Sequence, residues 1–344
     1  MRALIAMSGG VDSSVAALLA IEQGLECIGG TMHLHDTSCA ADAASVAQRL
    51  GIPFYEFDCM DLFRNKVMDY FVRCYEDGGT PNPCIECNRH LKFGHLLDIA
   101  QSLGCDYVVT GHYAQIDLDA ATGRYLLKKA ADTAKDQSYF LCRLTQQQLA
   151  HTLFPLGELT KVEARRIAEE NGFITAKKRD SQDICFVPDG DYMAFLQEYT
   201  QKSYPYGDFL DEQGHIVGKH RGAVAYTIGQ RKGLGLAMGA PVYVCGKDME
   251  ANTVTVGPNE ALFSKALRAK DWNWISIPCP TKPLRCKAKA RSRMTEQDAT
   301  VYPEENGFAR VVFDDPQRAI TAGQTVALYD GDTVIAGGTI TEAL

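Results

Sequence analysis

The sequence predicts an α/β protein in which a doubly wound parallel-sheet domain, residues 1–200, is followed by two small β-rich, barrel-like domains, residues 201–278 and 279–344. In the first part, short apolar runs alternate with stretches of helical periodicity, the pattern of a parallel sheet with helices on both faces. In the second part, short β-rich runs are separated by turn residues, as in small barrels. The prolines Pro278, Pro280 and Pro283 predict the boundary between the barrels, because proline interrupts a sheet.

The elements follow in order along the chain. Strands are predicted at residues 3–7, 27–32 and 53–57, followed by helices that end near residues 23, 50 and 74. A helix over residues 91–103 precedes a fourth strand at residues 107–110. The later strands are predicted at residues 243–245, 253–256, 287–291, 309–313 and 325–329.

Composition excludes several classes of protein. Lysine and arginine total 35 against 43 aspartates and glutamates, so a net charge of −8 excludes nonspecific coating of nucleic acid or membrane by the whole surface. No run approaches the ~18 apolar residues of a membrane span, and glycines 9 and 10 come too early for a signal peptide. We therefore expect a cytoplasmic protein without a membrane partner. Its 12 cysteines are then expected to be thiols, catalytic sulfurs or metal ligands.

The strongest motif is SGGVDS at residues 8–13, between the first strand and the first helix. The glycines let the backbone approach an anion, the serines supply hydroxyls, and the helix directs its N–H groups and positive dipole end to the same point. The motif therefore predicts a phosphate-binding loop. It is not a G-x-x-x-x-G-K-[ST] loop, since Asp12 replaces the lysine and is expected to orient Mg²⁺ or a hydroxyl. The alternative is a glycine-rich turn whose Ser and Asp only cap the helix.

Two cysteines have surroundings that suggest reactivity. Cys87 follows a turn-forming Pro-Asn-Pro stretch and precedes a helix, so it is predicted to be exposed near a helix N-terminus, which favours the thiolate. Cys185 follows a polar segment and precedes a short apolar run. With Cys84, they supply three thiolates, enough to hold a [4Fe-4S] cluster on three irons. The C-x-x-C spacing is shared by zinc and dithiol redox sites, and incidental cysteines are a further alternative.

Residues at the ends of other strands can reach the same sheet edge. Gly111 follows the fourth strand and is expected to let a nucleotide approach closely, while His112 faces the substrate. The alternative for this pair is a strand-ending glycine and a half-buried histidine. Met32 ends the second strand, where it is equally well explained as a core methionine.

A local basic region suggests a nucleic-acid surface. Residues 265–293 contain nine lysines and arginines against Asp271 alone, a net charge of +8 in an acidic chain. From Arg285 to Arg293 the basic residues recur at every second position, which in a strand puts them on one face. With Trp272 and Trp274 just upstream, this predicts an RNA backbone groove. The alternative is a solvated strand face.

Together these motifs resemble a known family. SGGVDS resembles the pyrophosphate loop of the ATP pyrophosphatase (PP-loop) superfamily, whose members cleave ATP to AMP and pyrophosphate while activating a carbonyl oxygen. Further segments resemble the tRNA-specific 2-thiouridylase family in order and spacing: TPNPCIECN at 80–88, TGHY at 110–113, KDQSYF at 135–140 and DSQDICF at 180–186. The resemblance implies a PP-loop ATPase domain, ATP and Mg²⁺, the anticodon stem-loop of tRNA, and a protein that donates persulfide or sulfide.

The resemblance also implies roles for individual residues. The nucleotide site would comprise Ala6, Met7, Ser8, Gly9, Gly10, Val11, Asp12, Ser13, Met32 and Gly111. Contacts with the target base and tRNA would come from Asn82, Pro83, Cys84, His112, Lys135, Asp136, Gln137, Arg291, Ser292 and Gln324. Cys185 would carry a persulfide and Cys87 would act as the second nucleophile, leaving a Cys87–Cys185 disulfide. Cys84 stands where many members have aspartate, which keeps the cluster alternative open.

The predicted function is ATP-dependent 2-thiolation of the wobble uridine of tRNA. Adenylation of O2 would make that oxygen a good leaving group, and sulfur on Cys185 or on a cluster iron would displace it. One alternative is a PP-loop synthetase of the amidotransferase type that acts on a small molecule. The basic region and the two cysteines argue against it, because such an enzyme needs neither RNA affinity nor thiols. Another alternative is a noncatalytic RNA-binding or iron–sulfur module. The SGGVDS loop argues against it, because such a module would not cleave ATP.

Overall fold

The N-terminal part of the chain alternates strands and helices, as predicted. The computed structural model describes residues 1–35, 40–176, 178 and 184–344. In chain order it contains β1 (Arg2–Ala6), α1 (Val11–Glu22), β2 (Glu26–His33), α2 (Ala40–Leu50), β3 (Phe54–Asp58), α3 (Met60–Phe63), a π-helical segment (Arg64–Met68), α4 (Asp69–Glu76), α5 (Pro83–Cys87), a second π-helical segment (Asn88–His95), α6 (Leu96–Ser102), β4 (Tyr107–Val109), β5 (Gln115–Asp119), β6 (Arg124–Lys128), α7 (Ser138–Leu141), α8 (Gln146–Ala150), β7 (Thr152–Leu153), α9 (Lys161–Glu170) and α10 (Tyr192–Thr200).

A parallel sheet forms the centre of this part, with strand order β3-β2-β1-β4-β7. Ala3 and Ile5 of β1 pack with residues of α1, α2 and α9 on one face, while Leu4 packs with residues of α6 on the other. A strand covered on both faces is apolar throughout, which is why β1 is a continuous hydrophobic run. This confirms the predicted doubly wound arrangement. The strand order changes direction between β1 and β4, where open α/β sheets bind ligands beyond the carboxyl ends of their strands.

The remainder of the chain consists mainly of antiparallel strands. They are β8 (Gly207–Leu210), β9 (Ile216–His220), β10 (Tyr243–Asp248), β11 (Thr253–Gly257), β12 (Phe263–Trp274), β13 (Leu284–Lys289), β14 (Gln297–Pro303), β15 (Ala309–Arg318), β16 (Thr325–Asp330) and β17 (Thr333–Ala343). Short 3₁₀ turns occur at Ala223–Ala225, Asn259–Leu262 and Glu305–Gly307. Strands β8 to β11 form one sheet, whereas β12 to β17 close into a barrel through pairing of β12 with β17. The predicted pair of β-rich units is confirmed.

The change from one sheet to the next lies earlier than the proline-rich segment suggested. Pro278, Pro280 and Pro283 lie in the connection between β12 and β13, two strands of the same barrel. The sheets change between β11 and β12, at residues 258–262. Proline ends a strand wherever it stands, so it marks a loop within a barrel as readily as a boundary between barrels.

Shared apolar clusters hold the three units together. Phe71 and Phe186 of the N-terminal part pack in one cluster with Phe209 and Val244 of the β8–β11 sheet. A second cluster joins α5 and α7 to the barrel. The β5–β6 hairpin also extends the barrel sheet, since Lys128 pairs with Thr333. Within the described residues, no helix is long and apolar enough to cross a membrane.

Candidate active site

The loop 8–13 joins the end of β1 to the start of α1, as the motif predicted. Gly9 has φ +66°, a conformation that side chains other than glycine rarely adopt. The Ser13 hydroxyl donates to the Gly10 carbonyl at 3.1 Å and accepts from the Ser8 N–H at 3.2 Å. The N-cap residue of α1 is Gly10, which has no side chain to cap the helix. The first N–H groups of α1 are therefore available to an anion, contrary to the capping-only alternative.

Asp12 lies in the first turn of α1 and is held by two partners. Lys161 Nζ lies 2.7 Å from Asp12 Oδ1 and 2.8 Å from Oδ2. The Tyr113 hydroxyl donates to Oδ1 at 2.9 Å. Sequence analysis missed Lys161 and Tyr113. The T-x-x-E capping box that begins α9 is visible in the sequence, but nothing local indicates that this helix packs beside α1.

Gly111 makes a close approach to the loop 8–13 itself. A Cβ atom on Gly111 would lie 2.6 Å from the Asp12 carbonyl carbon and 2.7 Å from the Ser13 nitrogen. The close approach of the loop backbone therefore accounts for a glycine at this position, and its contact with a nucleotide stays a prediction. Four other residues predicted to bind the nucleotide differ in how deeply they are buried. Met7 and Val11 are buried in the core, and Ala6 and Met32 are half-buried against it.

The three cysteines of the C-x-x-C segment and the later loop lie near one another. Cys84 and Cys87 are in α5, at the start of a helical stretch that continues to Ser102, and Cys185 is in a turn. All three are free thiols, and Cys84 and Cys185 are exposed. The pKa of the Cys87 thiol is raised to about 12, mainly by burial, and the nearby Cys185 and Cys84 contribute to this rise. The fold therefore brings Cys87 and Cys185 close together, although they are far apart in the sequence.

The prediction that Cys87 is exposed as a thiolate was wrong. Cys87 is 8% exposed and lies at the end of α5, where burial favours the neutral thiol. Its side chain lies on the inner side of the helix and packs in the cluster that contains Phe63 and Leu91. The Pro-Asn-Pro stretch begins the helix correctly, but a turn signal does not indicate which face of the helix is covered.

Lys92 was also missed, although it stands five residues after Cys87 on the predicted helix. Burial raises the pKa of Cys84, Cys87 and Cys185, and the positive charge of Lys92 opposes that rise at each thiol. It lies in the π-helical segment 88–95, which follows α5 directly. Its ammonium group is therefore the local charge that can stabilise an anionic sulfur.

Within the part of the chain that the structure describes, the side chains as they stand form no metal centre. Across residues 1–35, 40–176, 178 and 184–344, no three His, Cys, Asp or Glu side chains are grouped so as to hold a metal ion. The iron–sulfur ligand set of Cys84, Cys87 and Cys185 stays a prediction. Residues 180–183 of the segment 180–186 lie outside the described residues.

His112 is buried rather than open to solvent. Its Nδ1 lies 2.7 Å from Thr110 Oγ1, and its ring packs against Phe93 and Phe154. Burial, together with the charge of Lys92, holds the pKa of His112 well below its ordinary value. The imidazole is therefore neutral at pH 7. His112 adjoins Gly111, which lies against the loop 8–13, and its ring packs against Phe93, next to Lys92.

The segment preceding Asn82 and Pro83 is held by the barrel. Gln324 donates from Nε2 to the carbonyls of Thr80 at 3.0 Å and Pro81 at 3.2 Å. The Thr80 N–H donates to the Ala322 carbonyl at 2.8 Å. The turn 321–325 between β15 and β16 therefore fixes the entry to α5. The amide of Gln324, expected to contact RNA, is engaged with protein.

The segment 135–137 is an ordered turn. Asp136 accepts from the Ser138 hydroxyl at 2.7 Å and from the Ala130 N–H at 3.1 Å. Gln137 Oε1 accepts from the Tyr113 N–H at 2.9 Å. These two side chains therefore stabilise the start of α7, while Lys135 is half-buried.

The prediction of a basic RNA-binding groove at residues 265–293 needs correction. Strand β13 ends at Lys289, so Arg291 and Arg293 lie beyond it. Arg285 is paired with Asp314 at 2.6 and 2.5 Å, which neutralises part of the predicted face. Trp272 and Trp274 stack on each other and pack against the barrel core. The alternation of charge on β13 was right, but a sequence does not show which carboxylates the neighbouring strands bring.

Arg291 connects units of the protein. Its Nη2 donates to Thr321 Oγ1 at 2.6 Å and to the Ile228 carbonyl at 3.2 Å. Burial lowers the pKa of its guanidinium group, and its Nε is buried without a partner among the described residues. Ser292 is half-buried beside it, and Arg293 is exposed.

Comparisons with known proteins agree with this geometry. Family models described as the tRNA methyl transferase HUP domain, the tRNA methyl transferase PRC-barrel domain and the aminomethyltransferase beta-barrel domain match residues 1–189, 193–258 and 264–340. A protein of Symbiobacterium thermophilum named tRNA-specific 2-thiouridylase MnmA is 51% identical, over 100% of this chain and 93% of its own. Proteins of the same name from Acetivibrio thermocellus and Clostridioides difficile are 50% and 48% identical, over 98% and 100% of this chain and 99% of their own.

Proposed function

The chain belongs to the family of tRNA-specific 2-thiouridylases, PP-loop enzymes that thiolate tRNA with ATP, and from this premise we propose how its residues carry out the reaction. ATP adenylates O2 of the wobble uridine, and sulfur then replaces that oxygen. The observation that carries this proposal is that Gly111 lies against the loop 8–13, while the adjacent His112 packs on Phe93, next to Lys92, whose charge acts on the three cysteines.

The loop 8–13 is proposed to bind the pyrophosphate part of ATP. Uncapped N–H groups at the start of α1 and its positive dipole end suit phosphate oxygens. The Asp12 carboxylate is the type of ligand Mg²⁺ takes from protein, with the remaining positions filled by phosphates and water. Bound there, Mg²⁺ would stabilise the charge that develops on the departing pyrophosphate.

The segment 82–84 is proposed to receive the target base. A base in the single-stranded anticodon loop can leave its stack at small cost. Asn82 and Pro83 begin α5, so the base would reach Cys84 and the cysteine region directly. Since His112 is neutral, it can donate or accept a hydrogen bond without adding charge beside Lys92.

Sulfur transfer is proposed to use Cys185 and Cys87. Cys185 is exposed, so it can accept sulfur from a donor protein and hold it as a persulfide. The terminal sulfur attacks C2 of the adenylated base, and AMP leaves with the former O2. The Cys87 thiolate then attacks the Cys185 sulfur, releasing 2-thiouridine and forming a Cys87–Cys185 disulfide that a reductant reopens. The reaction would take place in the cytoplasm, where thiols stay reduced.

Contact with the tRNA backbone is proposed for Lys135, Ser292 and Arg293. Lysine and arginine side chains supply the phosphate contacts that position RNA. Arg291, which bridges two units, is proposed to hold this surface against the segment 80–83.

The test of the sulfur route is an anaerobic assay in which iron, sulfide and ATP-dependent thiolation of anticodon-bearing tRNA are measured in the same samples. Wild type and Cys84→Ser are compared. We expect both to thiolate tRNA from a persulfide donor without iron, because neither Cys87 nor Cys185 has changed. Cys279→Ser is the matched control, since Cys279 is exposed in the loop between β12 and β13.

Other results would refute parts of this proposal. If iron and thiolation fall together in Cys84→Ser but not in Cys279→Ser, a cluster carries the sulfur and Cys84 is a ligand. If wild type cleaves ATP to amidate or ligate a small molecule and leaves tRNA unmodified, the enzyme is a synthetase instead.

A second expected result concerns Gln324. Gln324→Ala removes the two hydrogen bonds to the carbonyls of Thr80 and Pro81, each worth about 1 kcal/mol. The segment that receives the base should loosen, so kcat for thiolation should fall on the order of tenfold while KM for tRNA changes little. Steady-state kinetics and hydrogen exchange of residues 79–82 measure these two effects.

Gln297→Ala is the control for this variant, because Gln297 belongs to the same barrel and its side-chain amide donates to the nearby Thr295 carbonyl. A rise in KM with unchanged kcat and unchanged exchange would contradict the positioning role. It would assign Gln324 to direct contact with tRNA.

A further inference from the structure

The helix that carries Cys84 and Cys87 has two residues between these cysteines. Helix α5 is five residues long and begins a helical stretch, so its first N–H groups have no partner within the helix. The orientation of such a short segment depends on the contacts of its side chains. Ile85 supplies an apolar contact, since it is fully buried in the cluster that joins α5 and α7 to the barrel. Glu86 supplies a charge.

The Glu86 carboxylate is mostly buried. Its side chain is 14% exposed, and Oε2 lies 3.2 Å from Nε2 of His90, four residues further along the chain. Burial alone would raise the pKa of Glu86, but the hydrogen bond with His90 and the charges of two arginines outweigh it and lower the pKa. The arginines are Arg143 and Arg89. Glu86 is therefore an anion at pH 7.

Arg143 lies deeper in the protein than Glu86 and is attached to the barrel. It is 3% exposed, and its Nη1 donates to Thr339 Oγ1 of β17 at 2.8 Å. Its Nε is buried without a hydrogen-bond partner among the described residues. Burial lowers the pKa of its guanidinium group, and the negative charges of Glu86 and Asp271 oppose that effect. Because a buried guanidinium is costly without a compensating anion, Arg143 and Glu86 stabilise each other.

The place of Glu86 on α5 connects these charges with the cysteines. On an α-helix, residues two apart point about 200° apart, and adjacent residues point about 100° apart. Glu86 therefore points away from Cys84, and a force on its carboxylate sets the rotation of α5 about its axis. The same rotation decides the direction in which the Cys87 side chain points. Attraction of Glu86 by groups outside α5 thus determines the position of the Cys87 sulfur.

We propose that Glu86 is a positioning residue, whose interactions with His90 and Arg143 hold α5 in the rotation that presents the Cys87 sulfur to Cys185. The carboxylate itself takes no part in bond making or breaking. It acts through the helix, and Arg143 connects that helix to β17 of the barrel. The inference rests on the proposed use of Cys87 and Cys185 in sulfur transfer.

The test is equilibration of the full chain with glutathione buffers, without tRNA or ATP, and quantification of the Cys87–Cys185 disulfide by peptide mapping. Two protein thiols and one glutathione disulfide give one protein disulfide and two glutathione thiols, so atoms and electrons balance. Glu86→Gln keeps the shape of the side chain but removes its charge. The equilibrium constant for the disulfide should fall about tenfold, which raises its reduction potential by ~30 mV, because the fold no longer holds the two sulfurs in bonding geometry.

Glu296→Gln is the matched control for this variant. Glu296 is also a mostly buried carboxylate, paired with Lys129 at 2.9 Å in another part of the protein. Its exchange should leave the equilibrium constant at the wild-type value. In steady-state thiolation, Glu86→Gln should lower kcat about tenfold and leave KM for tRNA unchanged, because the Cys87 step follows tRNA binding.

A double variant separates positioning from stability. In Glu86→Gln/Arg143→Met both charges are absent, so no unpaired buried charge is left to prevent folding. If Glu86 positions Cys87, thermal stability recovers while the disulfide stays weak. The inference is overturned if the double variant regains the wild-type equilibrium constant, if Glu86→Gln alone keeps it, or if the wild type forms no Cys87–Cys185 disulfide. A disulfide that Glu86→Gln weakens, in a protein that leaves tRNA unmodified, would refute the proposed function and leave this inference standing.

Discussion

Exchange of Cys185 for serine is expected to abolish formation of 2-thiouridine, by about 10³-fold or more, while the adenylation of tRNA continues. Serine cannot carry a persulfide, so no sulfur reaches the activated base. Release of pyrophosphate depends on the loop 8–13, which this change leaves intact. The measurement is a single-turnover assay in which pyrophosphate and thiolated tRNA are quantified together.

Cys87→Ser is expected to stop the same reaction one step later. Without Cys87, the tRNA should remain linked to Cys185 through a disulfide that a reductant cleaves. Because burial raises the pKa of Cys87 to about 12, its thiolate fraction should rise with pH over the range 7 to 9 and speed product release in the wild type. Wild-type rates in Cys185→Ser, with Cys279→Ser as control, would refute the sulfur route.

The parts of the fold that follow local rules could be predicted. Strand β1 is a continuous apolar run because it is covered on both faces, and the loop 8–13 sits between β1 and α1 because its glycines end the strand. Cys87 was placed near the start of a helix by the turn-forming Pro-Asn-Pro stretch before it. Each of these predictions needs only neighbours in sequence.

The remaining features depend on contacts between distant segments. Lys161 reaches Asp12 across 149 residues, and Gln324 reaches Thr80 across 244. The burial of Cys87 depends on which elements cover the helix that contains it, and the pairing of Arg285 with Asp314 depends on strand order in the barrel. Periodicity gives the face of an element but not its neighbour, so these residues could not be identified from the sequence.

Gly111→Ala is expected to weaken ATP binding by about tenfold or more and to destabilise the fold by about 1–3 kcal/mol. The added Cβ would lie 2.6 Å from the Asp12 carbonyl carbon and 2.7 Å from the Ser13 nitrogen. Both are backbone atoms, so no side-chain rotation can relieve the contact and the loop 8–13 must shift. Calorimetric titration with ATP and thermal denaturation measure the two effects.

Gly246→Ala is the control for this substitution, because a Cβ there would have its nearest contact at 3.5 Å, from the Thr255 side chain, which is ordinary van der Waals packing. The two variants add the same methyl group, so a difference between them reports on the loop alone. If Gly111→Ala bound ATP as tightly as wild type, the nucleotide could not depend on the positions of Asp12 and Ser13. The phosphates would then lie elsewhere on the sheet edge, and the proposed role of Asp12 would be refuted.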